Sequence, residues 1–296
     1  MLAIAVTAIG LVIVMLAGVW ALIALIALAI GATFIVARAN ASPASPASPA
    51  SARPAPIGGI GQIKLWCGEI AAGWSIFLLA MPLERWLMAR NCTATRAGVA
   101  PVLLIHGYVN NAGALWRLWR TLVESGVGVH TLNLEPVYTS IDNYAPLIAN
   151  RIAAIRALTG AVEVTLVCHS MGGLAARAYL RDCAQRHANA AVAKLITLGS
   201  PHHGTVHARI EFSPNGKQMV PGNPWLADLA THERGVWPCP LVSVYSFDDN
   251  IVAPQLSSHL EGARNIALSG IGHMSLPLSR WVIEIVLREI GQRETA

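Results

Sequence analysis

From Leu2 through Val36 the sequence has no charged residue, and its first charge is Arg38. Lysine and arginine form no cluster anywhere. The net charge of +5 therefore offers no strip for nucleic acid, although it suits anionic lipid headgroups. The five cysteines (Cys67, Cys92, Cys168, Cys183 and Cys239) lack metal spacing, and no His/Cys/Asp cluster spells a zinc site. No glycine-rich loop leads into a lysine, which argues against a phosphate cradle. No internal repeat marks the second half of the chain. A Cys183–Cys239 disulfide stays open, should that half face an oxidising compartment.

The uncharged N-terminal stretch exceeds the roughly 18 residues that suggest a membrane span. As one helix it would measure about 50 Å, against a hydrocarbon core of about 30 Å. Residues 1–37 are therefore expected to form an anchor, as one long tilted helix or two short ones, although no polar turn divides them. A cleaved signal peptide is the competing reading. It is disfavoured because the apolar run is too long and no basic segment precedes it. The side of the membrane stays open, since Arg38 and Arg53 alone are a weak positive-inside signal.

Residues 38–62 read as a linker in which Ala-Ser-Pro recurs from Ala41 to Pro49, too proline-rich for helix or ladder. Residues 63–94 carry a second apolar stretch, Ile70–Met81, bounded by Glu69 and Pro82. It is short for a span, and an interfacial helix or one packed on the following domain is expected.

Residues 95–296 alternate strand and helix patterns. Strands are expected at 101–106, 128–134, 162–169, 193–199, 241–247 and 264–269. Helices are expected at 112–125, 144–158, 171–186 and 274–290. That alternation predicts an α/β fold, a mostly parallel sheet flanked by helices. Trp116-Arg117-Leu118-Trp119-Arg120 reads as an amphipathic helix face. Residues 205–224 are turn-rich and suit a small cap more than a helical lid.

The most telling residue is Ser170, in Cys168-His169-Ser170-Met171-Gly172-Gly173. An apolar strand precedes it and a helical pattern follows, with small residues on both sides. A nucleophilic serine on a tight strand-to-helix turn needs that arrangement, although Cys168 stands where glycine is usual. The other reading is a helix-capping serine. Partners of such a nucleophile follow in the order acid, then base. The strand 241–247 ends in Asp248-Asp249-Asn250, and Gly270-Ile271-Gly272-His273 follows the last strand. His273 would be the base and Asp249 would orient it, with Asp248 the alternative acid. The strand 101–105 leads into His106-Gly107-Tyr108, which nominates the Tyr108 and Met171 N–H groups as oxyanion donors. His106, Gly107 and His169 would support these loops.

These segments resemble the bacterial lipases and esterases of the α/β-hydrolase superfamily, particularly the compact, nearly lidless kind. The likeness also covers Thr197-Leu-Gly-Ser-Pro-His202-His203-Gly-Thr205 and the tail from Ser243 to His273, within about residues 99–290. The resemblance implies an α/β-hydrolase fold, a Ser170–Asp249–His273 triad and no cofactor, with His202 and His203 structural or pocket residues and not catalytic ones. It also implies a lipid or other ester substrate. With the anchor, the expected setting is a bilayer, the bacterial inner membrane. The same residues would serve acyl transfer to an alcohol. A catalytically silent binding protein of this fold is the alternative from another class.

Overall fold

The computed structural model describes residues 2–41, 57–88, 98–232 and 237–291, so most of the Ala-Ser-Pro spacer and Cys92 lie outside the described residues. The N-terminal stretch is one continuous helix, α1 (Leu2–Ala39), and no hairpin divides it. A second helix, α2 (Gly59–Trp74), widens into a π-helical turn at Ser75–Ala80. It stops at Pro82, which has no N–H to continue the ladder, and a single turn, α3 (Glu84–Leu87), follows. Both long helices thus run into the segment expected to be linker.

The end of α1 packs against α2 through Ile30, Phe34 and Leu65. Phe34 stacks on Trp66 with ring centroids 5.5 Å apart, and Trp74 Nε1 donates to the Ile23 carbonyl at 3.1 Å. Earlier in α1, Ile13, Val14, Met15 and Leu16 are exposed. Residues Ile13–Ala39 are long and apolar enough to cross a membrane. The far side of α2 buries Ala72 and Ile76 against Ala114, Met274 and Leu278. Of the two placements expected for this stretch, it adopts packing on the following domain.

Among the described residues, aliphatic and β-branched runs form six strands: β1 (Val102–Ile105), β2 (Val129–Leu132), β3 (Val164–His169), β4 (Val192–Leu198), β5 (Leu241–Ser246) and β6 (Arg264–Leu268). All neighbours pair in parallel, in the order β2-β1-β3-β4-β5-β6. Helices α4 (Trp116–Glu124), α5 (Ala145–Thr159), α6 (Met171–Gln185), α7 (Pro214–Gln218), α8 (Pro224–His232) and α9 (Arg280–Gly291) complete the domain. Successive strand side chains point to opposite faces. Leu103 and Ile105 therefore join the core under α5 and α6, while Val102 and Leu104 join the core under α4 and α9. β1 has β2 on one side and β3 on the other, so the chain reverses its direction of travel across the sheet there. Loops beyond the carboxyl ends of β1 and β3 consequently converge on a crevice.

The expected closing helix needs correction, and the open disulfide question has an answer in the structure. The closing helix starts at Arg280, six residues later than expected, and residues Leu276–Leu278 form a 3-10 turn containing Pro277. The Met274 and Ser275 N–H groups bond to Glu69 and are not part of a helix. Cys183 and Cys239, open as a disulfide, are both buried free thiols.

Candidate active site

Ser170 occupies the turn between β3 and α6 with φ 55° and ψ −128°, a region that side-chain-bearing residues seldom occupy. Its N–H donates to the Leu198 carbonyl at 2.9 Å. The turn is tight enough that a Cβ on Gly107 would sit 2.8 Å from Ser170 Cβ. Cys168 is fully buried beneath the turn, and burial pushes its thiol pKa up, so it fills space where glycine is usual without being a nucleophile. Met171 is the first residue of α6, so its N–H has no intrahelical partner. Tyr108 follows the His-Gly turn after β1 and lines the same cavity as Ser170.

The candidate acid and base, Asp249 and His273, follow β5 and β6. Asp249 and His273 are 2% and 3% exposed. His273 Nδ1 donates to Asp249 Oδ2 at 2.8 Å, while the other carboxylate oxygen accepts the Ile251 and Val252 N–H groups at 2.8 Å each. Burial pushes the imidazole pKa down. The charge and hydrogen bond of Asp249, with the charge of Glu69, outweigh burial and raise it above the ordinary value. Asp248 instead accepts the Gly270 N–H at 2.7 Å, bracing the loop that leads to His273. Ser170 and His273 line one cavity of about 300 Å³, together with Phe77, Ile210, Met219 and Met274.

The residues nominated to support these loops are held by hydrogen bonds around the crevice. His106 Nε2 accepts the Leu134 N–H at 3.0 Å, which leaves its Nδ1 protonated and donating to the Gly107 carbonyl at 2.9 Å. Burial lowers its pKa to about 4, so it is a neutral brace and not a second base. His169 Nε2 donates to the His273 carbonyl at 3.1 Å, tying β3 to the histidine loop. His202 is held between Arg177 and Thr197, and His203 reaches the His259 carbonyl. The cap segment is a 3-10 turn, Val206–Ile210, followed by α7. Tyr108 Oη donates to Glu211 Oε2 at 2.7 Å, joining this segment to the loop after β1.

Sequence reasoning missed four residues. Thr33 and Phe77, from the N-terminal helices, line the cavity. Asn250 accepts the His273 N–H at 3.1 Å through Oδ1 and donates to Thr33 Oγ1 at 2.7 Å. Glu69 accepts three hydrogen bonds from Met274 and Ser275. Its sequence signal was a lone acid in an otherwise apolar helix.

A parallel sheet with a strained serine turn, and a buried Asp–His pair across one crevice, have the architecture of the α/β-hydrolase fold. The profile of a family described as palmitoyl protein thioesterase matches residues 101–233. That stretch holds the serine turn but ends before Asp249 and His273. Among solved structures, the mature Bacillus licheniformis lipase BlEst2 matches with a TM-score of 0.57 at 14% identity, over 66% of this chain and 94% of that one. Aspergillus fumigatus lipase B matches with 0.57 at 19% identity, over 67% of this chain and 53% of that one. The lin2722 gene product of Listeria innocua gives 0.50 at 18% identity, over 67% and 96%.

Proposed function

We propose that the protein is a membrane-anchored serine hydrolase that cleaves acyl esters of lipid-like substrates through an acyl-enzyme. The observation that carries this reading is the buried Asp249–His273 pair, whose histidine lines one apolar cavity with the strained Ser170 turn. Ser170 Oγ attacks the acyl carbonyl carbon while His273 Nε2 takes its proton. The N–H groups of Tyr108 and Met171 receive the oxyanion. The tetrahedral adduct collapses, the bond to the leaving group breaks, and His273 returns the proton to that group. Water then attacks the acyl-enzyme with His273 again as base, which releases the carboxylic acid and restores Ser170.

Two observations bear on the substrate. Apolar side chains dominate the cavity wall, which suits an acyl chain. The match to the palmitoyl protein thioesterase family favours a second reading, in which the scissile bond is a long-chain thioester. The order of steps is unchanged and a thiol departs. The anchor is read as retained because Thr33 and Phe34 belong to the packed structure and Thr33 forms part of the cavity wall.

The test uses the full chain in detergent. A fluorophosphonate probe should label the wild type and not Ser170→Ala. p-Nitrophenyl esters from acetate to palmitate, with matched acyl thioesters, should be turned over with a preference for long chains. Equal labelling or turnover in Ser170→Ala would sink the proposal. Faster turnover of thioesters than of esters would select the second reading.

A further inference from the structure

The loop that carries His273 is held from outside the hydrolase domain. Glu69 lies on α2, is fully buried, and reaches into the turn after the histidine. Its Oε1 accepts the Met274 N–H at 2.6 Å, while Oε2 accepts the Ser275 N–H at 3.0 Å and the Ser275 hydroxyl at 2.7 Å. Three donors converging on two oxygens suit a carboxylate, which is acceptor-only. The approach is so close that a Cβ on Gly272 would overlap the carboxyl group. On the other side of the histidine, Thr33 of α1 binds Asn250, which accepts the His273 N–H. The loop is thus gripped on both flanks through the N-terminal helices.

We propose that Glu69 is a positioning residue of this active site, and that the N-terminal helices complete the catalytic base as well as tethering it. The inference rests on the serine-hydrolase reading above. Glu69 touches no reacting atom; it acts through the backbone of Met274 and Ser275 and through its charge. The titratable groups facing His273 are Asp249 after β5, Glu69 on α2, His169 at the end of β3 and His207 in the cap. Burial lowers the pKa of both histidines, and Asp249 and Glu69 are the two acidic side chains whose charge bears on His273. Burial raises the pKa of Glu69 itself, against the pull of its donors.

The experiment compares full-length wild type, Glu69→Gln and Ser275→Ala in detergent, reading kcat, KM and the pH profile of kcat/KM on one p-nitrophenyl ester. Misplacing a reacting group by about 1 Å can cost roughly 100-fold. Glu69→Gln is therefore expected to lose about 10- to 100-fold in kcat with KM little changed. The acid limb of its profile should move to lower pH, because a negative charge beside His273 has gone. A purely structural role would lower the yield of folded protein and leave that limb in place. An unchanged acid limb with wild-type kcat in the folded variant overturns the proposal. If Glu69→Gln does not fold, Ser275→Ala decides. A several-fold lower kcat at constant KM supports the role, and an unchanged kcat overturns it. Fluorophosphonate labelling separates the two levels. Labelling of the wild type that does not depend on Ser170 refutes the serine-hydrolase reading. Ser170-dependent labelling beside an indifferent Glu69→Gln refutes this inference alone.

Discussion

The two halves of the site are built in different ways. The serine half is local: a buried strand, a strained residue and a helix follow one another within β3 and α6, with Gly107 making room from the neighbouring strand. The histidine half is remote. Asp249 and His273 leave adjacent strands, and their loops are secured by Thr33 and Glu69, more than 200 residues earlier in the sequence. A local motif stores its geometry in its own backbone. A remote one depends on how separate segments dock, so its tolerance to change is set elsewhere in the molecule.

That contrast can be broken or sharpened by substitution, and the largest effect belongs to the local half. Ser170→Ala is expected to lower kcat by about 10⁶, with the fold intact by circular dichroism. Asp249→Asn is expected to cost about 10⁴ in kcat, because the amide cannot hold the imidazole in the required tautomer. Asp248→Asn should stay within several-fold, since its carboxylate braces only the Gly270 N–H. A reversal of that ranking, measured on the same ester, would move the acid to Asp248.

Smaller effects probe the remote half. Thr33→Val removes the acceptor for Asn250 Nδ2. It should lower kcat by several-fold without altering KM, and steady-state kinetics at fixed detergent would show whether it does. The pH profile offers a further check. The pKa of His273 is raised, and the imidazole must be neutral to act as base. Activity should therefore fall on acidification with a midpoint above the ordinary histidine value of about 6.5.

Stability carries the opposite sign for the bracing histidines. His106, His169 and His202 have pKa values lowered by burial, so the unfolded chain takes up protons that the folded one refuses. Their contribution is complete above pH 6.5 or so and is lost as pH falls below it. For His106, held at about 4, the loss by pH 4 amounts to roughly 3 kcal/mol. Thermal melts should accordingly show Tm dropping between pH 7 and pH 5. A flat Tm over that range would mean that these rings are not neutral braces.

The same contrast explains what could be read from the chain. Strand patterns such as Val164–His169 and the small residues around Ser170 are contiguous, and contiguity is what periodicity detects. The choice of Asp249 over Asp248 needed the resemblance to known lipases, because both acids end the same strand. Glu69 could be seen only as the edge of an apolar stretch, since nothing local says which distant N–H groups will meet a carboxylate. The late start of α9 has the same origin. Donors that a helix would have used are committed to Glu69, and Pro277 completes the break. Thr33 was hidden because a long uncharged helix signals lipid, Phe77 because it sits in a second apolar stretch, and their packing against the cavity is a tertiary fact.

The Glu69–Met274 hydrogen bond joins residues 205 positions apart. Closing so long a loop is entropically unfavourable until the intervening sheet has formed, so this contact belongs to the last stage of folding. The serine turn, by contrast, needs only its own strand and helix and the strands beside them. The serine turn is thus shaped first and the histidine loop is set last, after α1 and α2 have docked against the finished domain.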